Sequence, residues 1–172
     1  MSLNIGLDLC DDYISGYLHE DKLLLSAPAV VCREKKDGLW YIGEEAYRLA
    51  LSGKGVLTDK LLSLLKKGGT STVMRKAYTA KQLISRLIAA MLWQLTNGAS
   101  ADSIDRLVIA LRSAEKSEMD VIAEAAADAG VRKEAICIIS HSDAFVYYTL
   151  SQSKEFYANM TALFDLSDES LY

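Results

Sequence analysis

Apolar runs and amphipathic stretches alternate most strongly in the second half of the chain. Leu107-Val108-Ile109-Ala110-Leu111 is a continuous apolar run of strand length, which predicts a strand buried on both faces. Beyond it, Met119, Ile122, Ala123, Ala126 and Ala129 recur at helical spacing. Ser113 is placed to cap that helix, and Gly130 sits where a helix end favours positive φ. Ala135-Ile136-Cys137-Ile138-Ile139 is a second apolar run, and a further helix leaves it at Ser140-His141-Ser142-Asp143. Two such runs joined by one helix predict a right-handed βαβ unit with parallel strands.

The first half has a different rhythm. Asn4 to Cys10 predicts a strand, Asp11-Asp12 an acidic turn, and Tyr13 to His19 an alternating second strand. Lys22 to Ser26 follows as a third, completing an antiparallel meander. After Pro28, Ala29 to Cys32 and Gly38 to Ile42 predict a hairpin across Lys35-Lys36-Asp37-Gly38. Short helices are expected over Glu44 to Ser52 and Thr58 to Lys67, each stopped by glycines. Thr70 to Tyr78 is polar and reads as a loop or an edge strand. Thr79 and Gln82 have capping-box spacing and open a helix with Leu83, Ile84, Leu87, Ile88, Met91, Leu92 and Leu95 on one stripe. That stripe is core rather than a cofactor box, and the helix ends at Asn97-Gly98. Thr161 to Leu166 predicts a last buried strand, which runs into Ser167, Asp168 and Glu169.

Composition narrows the classes. With 172 residues, 51% hydrophobic and 24% charged, the chain can bury one good core. A net charge of -4 gives no electrostatic reason to expect nucleic acid or an anionic membrane. No apolar run approaches a membrane span, and no basic segment precedes an apolar one at the start, so a cytoplasmic protein is expected. Cys10, Cys32 and Cys137 lack metal-ligand spacing and read as buried thiols in strands.

The order of elements resembles the first lobe of the actin-like ATPase superfamily, which holds heat-shock chaperone ATPases, actins and sugar kinases. Gly6-Leu7-Asp8-Leu9 is similar to the start of its first phosphate motif, Asp-Leu-Gly-Thr-Thr. Pro28-Ala29-Val30-Val31 and Tyr41-Ile42-Gly43-Glu44-Glu45-Ala46 resemble the chaperones' Pro-Ser-Val-Val and Val-Gly-Asp-Ala-Ala segments. Val108 to Arg112, the alanine-rich helix and Ile138-Ile139-Ser140-His141 follow a further chaperone pattern. Phe164-Asp165-Leu166 resembles the start of the second phosphate motif. The resemblance covers nearly the whole chain. It implies an α/β, ribonuclease H-like fold with a mixed five-stranded sheet, residues 28–78 forming an inserted small subdomain. It also implies a fragment of a longer two-lobe protein with nucleotide between the lobes.

The departures from the family pattern bear on function. Cys10 stands where the first motif has glycine, and Asp11 and Asp12 where it has hydroxyl residues. Ser167, Asp168 and Glu169 replace the glycines of the second motif. His141 takes the place of the glutamate that orients water or metal in the chaperones. Glycine lets phosphate approach the backbone, and its loss closes that approach. In this fold the two turns face each other, so Asp8, Asp11, Asp12, Asp165, Asp168 and Glu169 would converge. Two like charges about 5 Å apart at an effective dielectric of about 20 repel by roughly 3 kcal/mol, so such a cluster disfavours a polyphosphate. Asp8 and Asp165 alone would suit a divalent cation held through water.

Each of these residues also has a plainer reading. Asp11-Asp12 and Asp168-Glu169 can be solvated turns, and His141 a helix N-terminal residue with a backbone partner. Lys60, in a segment faintly like the one carrying a catalytic lysine in chaperones, reads as a surface lysine, and His19 as a surface residue. Tyr147, Tyr148, Phe156 and Tyr157 read as core or lobe-interface residues. The expectation is a non-catalytic module with a degenerate nucleotide site, no cofactor, and a protein partner or second lobe, with a tendency to self-associate. The alternatives are a working ATPase lobe and a carboxylate site for a divalent cation.

Overall fold

A computed structural model describes residues 3–19, 22–112 and 115–153, with the backbone of 166–167 and 170–171. The meander forms first, as β1 (Asn4–Leu9), β2 (Tyr13–Leu18) and β3 (Leu23–Pro28). Next come β4 (Val31–Glu34), β5 (Trp40–Ile42), α1 (Gly43–Leu51), β6 (Gly55–Thr58) and α2 (Leu61–Lys66). A hairpin of β7 (Thr70–Val73) and β8 (Lys76–Thr79) leads into the long helix α3 (Ala80–Leu95). The βαβα unit is β9 (Arg106–Leu111), α4 (Lys116–Asp128), β10 (Ile136–Ser140) and α5 (His141–Ser151). Two short strands, β11 (Leu166–Ser167) and β12 (Ser170–Leu171), pair antiparallel. The remainder of the predicted strand from Thr161 lies outside the described residues.

The central sheet has the order β10-β9-β1-β2-β3. β1 runs antiparallel to β2 and parallel to β9, and β10 continues parallel to β9. This is the mixed five-stranded α/β sheet expected of a ribonuclease H-like fold. The parallel pairs set Asp8 opposite Ala110 and Ser140 opposite Leu111, so the ends of β1 and β10 lie at one edge of the sheet.

One face of the sheet carries the core. Ile5, Leu7, Leu9, Ile14, Leu18, Leu107, Ile109 and Leu111 point into it against α3 and α4. All seven residues of the α3 stripe are buried. At about 1.5–3 kcal/mol per fully buried aliphatic side chain, that stripe is a leading source of stability. The capping box at Thr79 and Gln82 is formed, each side chain bonding the other's backbone N–H. Close approach of α3 explains Gly16, since a Cβ there would lie 2.5 Å from Leu95 Cδ1. Gly130 ends α4 with φ +101°, as its position predicts.

Several details differ from expectation. β9 is not buried on both faces: Leu107, Ile109 and Leu111 are buried, whereas Val108 and Ala110 are half-buried on the other side. Gly6, Tyr17, Leu24, Val108, Ala110 and Ile139 instead line a shallow hollow of about 520 Å³, which α5 borders through Ala144 and Tyr148. Residues Gly55–Thr58 are a strand, so the helix predicted from Thr58 starts only at Leu61. That strand joins β4 and β5 in a small sheet, covered by α1 over its own core of Val30, Cys32 and Ala46. Thr70 to Tyr78, read as a loop or an edge strand, is strand: it folds into a separate two-stranded hairpin. Arg33, Trp40, Tyr78 and Arg86 tie the small sheet to α3. Trp40 meets Tyr78 edge-on at 5.2 Å, and the Arg86 guanidinium lies 4.8 Å over the Trp40 ring. Of the cysteines only Cys32 is buried, with Cys10 and Cys137 half-buried. No helix among the described residues is long and apolar enough to cross a membrane.

Candidate functional site

The turn between β1 and β2 is short and held from both sides. The Cys10 N–H donates to the Tyr13 carbonyl at 3.0 Å, and the Ala29 N–H to the Asp12 carbonyl at 3.0 Å. Asp11 does not face solvent; it is 8% exposed. Its carboxylate accepts from the N–H of Leu62 at 2.8 Å, the N–H of Ser63 at 3.1 Å and the Ser63 hydroxyl. These are the orphan donors at the start of α2, whose own preceding residue, Lys60, has φ 50° and offers no side-chain cap. The cap therefore comes from a residue about fifty positions upstream. Asp12, beside it, pairs with the Lys60 ammonium. So Asp11 is neither a solvated turn residue nor part of an open acidic cluster, and Lys60 lies at the turn rather than apart from it.

Asp8 is latched from a second direction. Its Oδ1 lies 2.7 Å from His141 Nε2 and its Oδ2 accepts from the Tyr13 hydroxyl at 3.3 Å. The Cys10 thiol points at the same Oδ1, 3.8 Å away. His141 is the first residue of α5, and the cap formed by Ser140 and Asp143 fixes that helix start. The sequence placed His141 at a helix N-terminus correctly, but its partner is the Asp8 side chain rather than backbone. Hydrogen bonds to Asp8 and then to Cys10 push the imidazole up to about 10, against the opposing effect of burial. His141 is therefore an imidazolium at neutral pH, paired with the Asp8 carboxylate. The Tyr13 phenol is pushed well above its ordinary range, mainly by its bond to Cys10, then by burial and the Asp8 charge.

The sequence had assembled a wider acidic set. Asp165, Asp168 and Glu169, and the Ser167 side chain, lie outside the described residues; among the described ones the structure brings Asp8, Cys10 and His141 together, while Asp11 engages the start of α2 and Asp12 engages Lys60. The divalent cation expected between Asp8 and Asp165 has only Asp8 among the described residues. The groups that meet Asp8 there are the Cys10 thiol, the His141 imidazole and the Tyr13 hydroxyl, and the first two are not the oxygen ligands Mg²⁺ requires. Tyr13 and Ser63 had not been singled out. Ser63 acts across the fold, with no local spacing to mark it, whereas Tyr13 reaches Asp8 across the β1–β2 turn. Tyr147 and Tyr148 are 67% and 63% exposed, so they are not core residues of the described chain; His19 is exposed, as predicted.

Sheet order, flanking helices and the placement of the β1–β2 turn define an actin-like fold. The chain superposes on MreB5 of Spiroplasma citri, solved bound to ADP, with a TM-score of 0.59 at 14% identity. That match covers 90% of this chain and 43% of the MreB5 chain, so the sequence spans less than half of that protein's length. No curated protein sequence matches the chain. The chain belongs to the Family of unknown function (DUF5716) C-terminal, whose model matches residues 14–172.

Proposed function

We propose that this chain is a non-catalytic, actin-like interaction module whose nucleotide site is degenerate. The capping of α2 by Asp11 carries the reading. A phosphate-binding turn works by offering unengaged backbone N–H groups to an anion. Here a carboxylate of the turn itself occupies the nearby helix amides, and Asp12 and Asp8 add two more negative charges. The cations beside them, Lys60 and His141, are already paired with those acids. A polyphosphate would have to break both pairs and face the released carboxylates.

The interaction role rests on the face of the sheet away from the core, which α5 borders. Val146, Tyr147, Tyr148 and Leu150 on α5 and Leu24 on β3 are all exposed, more apolar surface than a solvated helix needs. A protein surface, either a second lobe or a separate partner, is the chemistry that fits it. One observation favours a second reading, a working ATPase lobe completed by another lobe: Lys60 stands at the first turn, where it could contact a phosphate. Calorimetric titration of the full-length protein with Mg-ATP separates the two. No saturable heat is expected. A micromolar dissociation constant, lost on Asp8→Ala, would overturn the proposal.

A further inference from the structure

We propose that Asp8, Cys10 and His141 form a three-ligand site for Zn²⁺ or a similar borderline divalent ion. The inference goes beyond the loss of nucleotide binding and does not depend on it. One donor atom from each residue, Oδ1, Sγ and Nε2, lies within 4.8 Å of the others. Donors held about 2.0–2.3 Å from one tetrahedral ion stand roughly 3.3–3.7 Å apart. The Sγ–Oδ1 separation of 3.8 Å already matches. The Nε2–Oδ1 separation of 2.7 Å is shorter because a hydrogen bond now joins those atoms, and it must open by roughly half an ångström to admit the ion.

The ligand types select the metal. Imidazole with thiolate suits zinc, whereas magnesium and calcium require oxygen. The supporting shell is also in place. The Tyr13 hydroxyl holds Oδ2 of Asp8, leaving Oδ1 for the ion. The Ser140–Asp143 capping box fixes the turn that carries His141. Cys10 and Asp8 sit on either side of Leu9, so their side chains leave the same face of β1, while Leu9 is buried on the other. None of the three ligands is fully buried, so water reaches the site and supplies the fourth ligand. Loading replaces the proton between His141 and Asp8 and the thiol proton of Cys10 with the ion.

Cobalt(II) alone is the probe, added to the full chain under reducing conditions. One equivalent should give a cysteinate-to-cobalt charge-transfer band and the intense visible bands of a tetrahedral ion, and one equivalent of Zn²⁺ should displace both. Cys10→Ser should abolish the charge-transfer band, and Cys137→Ser should leave it unchanged. His141→Gln should weaken binding while keeping that band. Tyr13→Phe should weaken cobalt affinity by about 10–100-fold, as loss of a group that orients a ligand does. Wild-type chain without the band, or a band that survives Cys10→Ser, overturns the proposal; neither result depends on a variant failing to fold. A Mg-ATP titration in the same buffer without cobalt reads the nucleotide question separately.

Discussion

Replacing Asp11 by alanine tests how the first turn is held. The change removes one carboxylate that accepts two backbone N–H bonds and one hydroxyl bond at the start of α2. An N-cap replacement costs about 0.5–2 kcal/mol, and hydrogen bonds to a charged group about 1.5–3 kcal/mol each, though not additively. Asp11 is 8% exposed, so water replaces few of the lost bonds. We expect a loss of about 2–3 kcal/mol, since α2 also packs Leu61 into the core and limits the relaxation that could recover it. For a chain of this length that is a fall in Tm of roughly 5–10 °C by circular dichroism. Asp11→Asn keeps an acceptor and should lose about half as much. Hydrogen exchange should speed up at the amides of Leu62 and Ser63 before it does so in α3. A Tm for Asp11→Ala within about 1 °C of wild type, the size of a neutral surface change, would refute the capping role.

Other expected outcomes follow from the same geometry. Leu87, fully buried on the α3 stripe, should cost about 2–5 kcal/mol as Leu87→Ala in urea denaturation with an unchanged m-value. In chelator-treated protein, the His141–Asp8 pair should stabilise the fold by about 2 kcal/mol, the half-exposed Asp8 keeping it at the scale of one charged hydrogen bond. Because the folded histidine is raised, that stability is fully present below the ordinary histidine range and lost as pH rises through about 10. The stability gap between wild type and His141→Gln, measured across this range, should close at the alkaline end; a gap independent of pH would contradict the pairing. Tyr148→Glu on the exposed α5 face should lower concentration-dependent association in sedimentation velocity, and unchanged association would remove that face from the interaction role.

What the sequence revealed and what it hid divide along a physical line. The α3 helix was legible because its cap, its stripe and its stop are all local, and each formed where predicted. The parallel β9 and β10 were legible because continuous apolar runs joined by one helix leave few topologies. By contrast, β6 is a four-residue strand whose glycine start looked like a helix stop, and only its pairing with β4 makes it a strand. The candidate site shows the same limit more sharply. Asp8 and His141 were each visible, but a separation of 133 in sequence hides their hydrogen bond, which exists only because parallel pairing brings two strand ends to one edge. Asp11 looked like any acid in a hairpin turn, since nothing near it in sequence shows that a helix lacking its own cap would dock there.

The central claim is that the first turn is occupied by the protein's own side chains and no longer receives phosphate. It is tested most directly by following backbone amide resonances of Asp11, Asp12, Leu62 and Ser63 as Mg-ATP is added to the metal-free chain. The account predicts that these four signals stay in place at millimolar nucleotide. Saturable shifts at all four, absent in Asp8→Ala, would show that the turn still cradles phosphate and would contradict it.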